Sequence, residues 1–299
     1  MKHLTLPAAV AALGLASATV GLAQQSPVFS AKSELVVLHV LVKNRGGGYV
    51  SGLQAGAFQV FEDDQPQPVQ FFAAEDTPVT VGLLIDSSGS MRPVRDRVIA
   101  ASSAFVESSN PRDEVFALVF DDDVRDVLDP STPFTSDAAV LRRALANVFM
   151  PAGRTALYDA VAHGLRYVRN GSRERRVLVV LSDGGDNASH ADFSGVLIST
   201  QASNAAIYTV ALIDPSDTDA DPGKLAKLAA TSGGAAFEPR NVAGVERAFQ
   251  QIARDIRQSY AIGYEPPGGR PGFHRLRVEV RSPNGHKLVT RTREGYHAS

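Results

Sequence analysis

Apolar residues recur along this chain at two spacings, and the spacing changes twice. Near the start, "ELVVLHVLVKN" puts Val36, Leu38, Val40 and Val42 on one side of an extended segment, with His39 and Lys43 on the other. "RGGGYVSG" breaks it. A second extended stretch, "FQVFEDDQPQPVQFFA", turns at Asp63 and Asp64, and its prolines suit a sheet edge or loop. From Val79 buried strands alternate with amphipathic helices. The strands are "VTVGLLI", "EVFALVF", "RVLVVLS" and "AIYTVALI"; their near-continuous apolar character is that of a parallel sheet covered on both faces. Helical stripes run through Val94, Val98, Ala101 and Phe105, through Leu141, Leu145 and Val148, and through Leu157, Val161, Leu165 and Val168. "DPGKLAKLAATSGG" adds a shorter helix with a glycine stop, and Val245, Phe249, Ile252 and Ile256 mark a last one. Beyond Ser259 the period returns to two: Leu276, Val278 and Val280 alternate with Arg275, Arg277, Glu279 and Arg281, and Asn284-Gly285 signals a hairpin.

The pattern predicts an α/β fold, a doubly wound, mostly parallel sheet flanked by helices over residues 77–258. Residues 24–76 and 259–299 are β segments, each too small to stand alone, and they are expected to pack together beside the α/β domain. The first 23 residues, with a basic start, an apolar stretch, and Gly21 and Ala23 placed for cleavage before Gln24, read as an export signal. The mature chain is then periplasmic or extracellular. No later run is long and apolar enough to span a bilayer.

Composition narrows the chemistry. There is no cysteine, which excludes disulfides, thiolate catalysis, Cys-ligated zinc and a lipid-modified cysteine anchor. A net charge of −2 gives no overall reason to expect nucleic acid or an anionic membrane as partner. No HExxH helix, GxSxG elbow or Walker-type loop is present, and the seven histidines are scattered, so an enzyme is not expected.

Ligands of open α/β sheets sit outside the carboxyl ends of the strands. Asp86 follows "VGLLI" and Asp183 follows "RVLVVLS", which puts both carboxylates on that edge. Ser88 and Ser90 alternate with Asp86 in "DSSGS", and Thr155 opens a helix after "PAGR". Five oxygen-bearing side chains therefore converge without a histidine or thiol. Oxygen-only donors select a hard cation, Mg²⁺ or else Mn²⁺ or Ca²⁺. The two carboxylates balance its charge, the hydroxyls add donors without charge, and one more anionic oxygen, such as a partner's carboxylate, would complete the shell.

"DSSGS", "GRTALYDA" and "LSDGGDN" together resemble the metal-ion-dependent adhesion site of von Willebrand factor type A domains in order, spacing and strand placement, over about Val79 to Ser259. The flanking segments look like those of exported bacterial proteins related to that family. The resemblance implies Asp86, Ser88 and Ser90 as the first ligand set, Thr155 as the ligand from the second loop, and Asp183 as the last carboxylate, often acting through water. It implies a non-enzymatic module that clasps an acidic side chain of another protein. The alternatives are a structural or assembly module with a non-functional metal loop, and a metal-dependent hydrolase. Two positions depart from the family pattern. Ser182 stands where threonine is common, and Arg154 stands where a second glycine is common. Its guanidinium either lowers metal affinity or points away and grips the partner's acid. Asp186 and Asn187 either tune the rim of the site or cap the helix that follows near Ala191. "FDDDVRD" reads as an acidic hairpin, Asp159 and His163 as a structural or solvated pair, and the C-terminal arginines as a solvated strand face.

Overall fold

The computed structural model describes residues 35–74, 76–213, 218–268, 270–282, 285 and 287–298. The expected export signal, the start of the expected N-terminal β segment and Asn284 of the expected hairpin lie outside the described residues. The N-terminal part contains β1 (Val36–Asn44), β2 (Phe58–Glu62), β3 (Gln65–Gln67) and β4 (Phe71–Ala73). Asp63 and Asp64 adopt φ values of 47° and 64° between β2 and β3, the left-handed pair of a tight hairpin. β3 with its proline lies at a sheet edge, where a missing N–H is tolerated.

The α/β part follows as β5 (Val79–Asp86), α1 (Arg95–Glu107), β6 (Glu114–Phe120), β7 (Val124–Asp126), α2 (Ala138–Val148), α3 (Leu157–Tyr167), β8 (Arg175–Ser182), α4 (Phe193–Ala202), β9 (Ala205–Ala211), α5 (Pro222–Ser232), β10 (Ala236–Phe237) and α6 (Val242–Arg257). Its six-stranded sheet has the order β10-β9-β8-β5-β6-β7, parallel except for β7, which returns antiparallel to β6 as the acidic hairpin. β5 is buried along its whole length and divides its side chains by parity. Val81, Leu83 and Ile85 pack with Phe105 of α1, Leu141 of α2 and Phe249 of α6. Leu84 on the opposite face packs with Val161 of α3, Val196 of α4 and Leu225 of α5. Three helices thus cover each face, and every parallel strand ends at one edge. No helix of the described residues is long and apolar enough to cross a membrane.

The chain closes with β11 (Ser259–Tyr264), β12 (Gly272–Val280), β13 (Leu288–Arg291) and β14 (Gly295–Ala298). N- and C-terminal segments interleave in two antiparallel sheets, β13-β1-β11-β4 and β14-β12-β2-β3, each of four strands. The register sets Leu38 opposite Ile262 across β1 and β11, and Val60 opposite Val278 across β2 and β12. The two sheets share one apolar core of Leu38, Val40, Val60, Tyr260, Ile262 and Val278. Arg275, Arg277 and Glu279 are exposed between buried neighbours, the solvated face the alternation predicts. Arg175, only 1% exposed, ties this β part to the α/β sheet, donating to the carbonyls of Thr77 and Ile256 and to Ser259 Oγ.

Candidate functional site

The end of β5 delivers Asp86 into the gap between the ends of β6 and β8. Its carboxylate is fully buried and accepts from the Ser88 N–H at 2.8 Å and from Ser182 Oγ at 2.7 Å. Ser182 also accepts from the Gly184 N–H, so the serine supplies the hydroxyl that matters at this position. Burial is the main cause that pushes the Asp86 carboxyl up to about 6, opposed by these hydrogen bonds and assisted by the charge of Asp183. No Lys, Arg or His forms an ion pair with Asp86 among the described residues.

The other predicted ligands lie on the same edge. Ser88 Oγ is 3.0 Å from Ser90 Oγ, and Ser90 Oγ donates to Asp183 Oδ2 at 3.1 Å. Asp183 Oδ1 accepts from the Gly185 N–H, and Gly184 turns the chain with φ of 90°, where a side chain would meet the Asp221 carbonyl. Thr155 comes in on a loop braced by backbone: Ala152 N–H donates to the Ser87 carbonyl and Ala156 N–H to that of Asp121. Ser88, Thr155 and Asp183 are buried, while Gly89 is exposed and Ser90 half-buried, so the cluster meets solvent there.

Neither Asp186 nor Asn187 caps the helix that follows, while Asn187 braces the rim of the site. Asp186 accepts from the Tyr158 N–H at 3.0 Å and so caps α3, the preceding helix, while α4 is capped by Asp192. Asn187 Oδ1 accepts from the Thr155 N–H at 2.9 Å, and its own N–H donates to the Thr155 carbonyl. The pair fixes the Thr155 loop to the loop after β8. Asp159 binds the N–H groups of His190 and Ala191, a structural role. The Arg154 guanidinium is 2.8 Å from Asp122 and therefore turned toward the acidic hairpin. Gly153, at φ 73°, lies so close to Asp122 that a side chain there would collide with the carboxylate.

The donor set suits a hard divalent cation. It is all oxygen, two of the five groups carry the charge, and Asp86 is a buried acid whose ionised form a cation would relieve.

A second cluster escaped sequence reasoning because its members are far apart in the chain. Glu62, Asp63 and His274 place potential ligand atoms within 4.8 Å of one another. His274 Nδ1 is 2.9 Å from Asp63 Oδ2 and 3.1 Å from Glu62 Oε1, and Nε2 is 2.8 Å from the Arg270 carbonyl. A carbonyl on one nitrogen and carboxylates on the other call for N–H at both, which is the imidazolium. The Arg270 carbonyl first, then Asp63 and Glu62, hold the His274 pKa above its ordinary value against the effect of burial. Glu62 also accepts from the hydroxyls of Tyr264 and Tyr296. This cluster contains its own cation.

The profile described as von Willebrand factor type A domain matches residues 81–251. No curated protein matches the chain. Among solved structures, a von Willebrand factor type A protein from Catenulispora acidiphila is 16% identical with a TM-score of 0.50, covering 90% of this chain and 75% of that one. The PilB minor pilin from Streptococcus sanguinis is 12% identical with a TM-score of 0.50, covering 65% of this chain and 64% of that one. Proximal thread matrix protein 1 from the mussel byssus is 13% identical with a TM-score of 0.51, covering 65% of this chain and 49% of that one. At such identities the likeness is one of fold.

Proposed function

The chain belongs to the von Willebrand factor type A domain family, and on that premise we propose that it is a non-enzymatic, exported binding module that holds a divalent cation, Mg²⁺ or else Mn²⁺ or Ca²⁺, and through it an acidic side chain of a partner protein. The observation that carries this reading is the buried carboxylate of Asp86 at the strand edge, without an ion pair among the described residues and beside the Ser88–Ser90–Asp183 chain of hydrogen bonds. Asp86 and Asp183 balance the charge of a dication, and Ser88, Ser90 and Thr155 offer neutral oxygens. When bound, the ion supplies a Lewis-acid position for one further anionic oxygen. Asp86 is held by Ser182, and the Thr155 loop by Asn187, so the donors are positioned before a ligand arrives. The minor pilin among the similar folds accords with a role outside the cytoplasm.

The test is capture of surface and secreted proteins on the immobilised full chain, with Mg²⁺, with EDTA, and with Asp86→Ala as bait. The expected result is a set of proteins retained in Mg²⁺, released by EDTA and absent with Asp86→Ala. The same set retained in EDTA would contradict the proposal.

A further inference from the structure

A cavity of about 320 Å³ opens at Ser90 and runs away from the five oxygens between the start of α1, the segment after β9 and the start of α6. Its walls are apolar, chiefly Val94, Val98, Leu212, Ile213 and Val245. Ile213 is 42% exposed, one of the few large apolar side chains so placed among the described residues. Arg97 and Arg240 stand on the lining and are exposed. Among the described residues neither makes an ion pair and no carboxylate is on the lining. The volume is at the small end for ligand sites, enough for a large side chain with its adjoining backbone.

The two guanidiniums make the mouth selective for anions, and the walls favour a hydrocarbon body. Among the described residues no aromatic side chain is on the lining to stack a base, which disfavours a nucleic acid. Because Ser90 belongs to both the groove and the proposed metal site, a segment with its acid at the ion reaches the groove with a neighbouring residue.

We propose that this groove receives a large apolar side chain of the partner protein, in a segment whose flanking acidic residues meet Arg97 and Arg240. The assignment deepens the metal-dependent reading above and rests on it for the position of the first acid. It makes the recognised element an acidic–apolar peptide segment rather than a lone carboxylate.

The experiment selects a displayed library of random peptides on the full chain in Mg²⁺. The enriched peptides are then synthesised and titrated against the native chain, Ile213→Glu, the Arg97→Glu/Arg240→Glu double variant, and Asp86→Ala. Ile213 is exposed, so its substitution leaves folding intact; Val94→Trp, which fills the groove, serves as an independent second variant. The expected result is enrichment of a large apolar residue within a few positions of Asp or Glu. Affinity should fall about tenfold or more in the groove variants, with Mg²⁺ affinity by calorimetry unchanged. Enriched peptides without an apolar residue, or full affinity in the groove variants, would overturn the groove assignment while leaving the metal reading in place. Binding that survives EDTA and Asp86→Ala but is lost in the groove variants would support the groove and remove the metal reading. Octanoate bound in the groove with no peptide enriched would overturn the assignment in favour of a free fatty acid.

Discussion

Two buried acid clusters in this molecule solve the same electrostatic problem in opposite ways. In the β part, Glu62 sits against His274 and the hydroxyls of Tyr264 and Tyr296, and the imidazolium neutralises it from within the chain. At the carboxyl edge of the α/β sheet, Asp86 is just as buried, yet its partners are hydroxyls and a backbone amide. Proximity of acids and imidazole alone would pick the first cluster as the metal site. The difference lies in proton count: a histidine whose two nitrogens both donate has no lone pair to give, whereas serine, threonine and carboxylate oxygens keep theirs. A self-neutralised cluster contributes to the fold, and one whose buried Asp86 has no ion pair among the described residues is available to a ligand.

The largest effect separating the two should come from His274→Gln. It strands a buried Glu62 carboxylate, and unfolding in urea should show a loss of about 3–5 kcal/mol, partly restored by adding Glu62→Gln. A loss no greater than that of a surface substitution would mean the imidazolium is not holding Glu62.

Acid titration sharpens the same contrast. The His39 pKa is lowered to about 3, first by burial, then by the charge of Arg175, with a smaller push from Arg293 against the hydrogen bond to the Asn204 carbonyl. The unfolded chain takes up this proton near its ordinary pKa of about 6.5, and the folded chain does not. Stability therefore falls as pH drops from about 6.5 toward 3, by about 1.4 kcal/mol per pH unit from this residue. His274 runs the other way. Its folded pKa is raised, so its contribution is complete below about pH 6.5 and is lost as pH climbs through the folded value. Urea midpoints across pH should show the acid limb flattened by His39→Gln.

Asp86→Asn should have a smaller effect, of opposite sign to His274→Gln. It removes a buried charge that burial disfavours, so the cation-free protein gains about 1–2 kcal/mol at pH 7. The rise in melting temperature expected of the native chain in Mg²⁺ should be absent from the variant. A destabilised variant that still responds to Mg²⁺ would break the contrast. The smallest effect belongs to Arg154→Gly. The Arg154–Asp122 pair is largely exposed, so melting temperature and Mg²⁺ affinity should both stay within error of the native chain. A clear gain in Mg²⁺ affinity would show that the guanidinium reaches the site despite Asp122.

Much of this architecture is legible because the strands of the parallel sheet are apolar on both faces and the site residues are local. Asp86, Ser88 and Ser90 fall within five positions at a strand end, and the strand-end rule alone brings Asp183 to the same edge. What escapes the sequence is either unpatterned or distant. Helix α4 has Val196, Leu197 and Ile198 in a row and only Val196 and Thr200 buried, so it shows no stripe to read. Asp186 caps a helix that precedes it by nearly thirty residues, a relation that the following-helix rule cannot reach. Glu62 and His274 lie on strands paired only through the antiparallel register of β2 with β12 and its continuation. Arg175, at the start of an apolar strand, looks like a surface flank, yet it spends its donors on Thr77, Ile256 and Ser259 inside the junction of sheet and β part.

The most direct measurement is anomalous scattering from crystals of the full chain soaked in Mn²⁺. The account predicts one peak bounded by Asp86, Ser88, Ser90, Thr155 and Asp183, with the nearest protein oxygens at about 2.1–2.3 Å, and none beside His274. A peak at Glu62–Asp63–His274, or no peak at the strand edge, would contradict it.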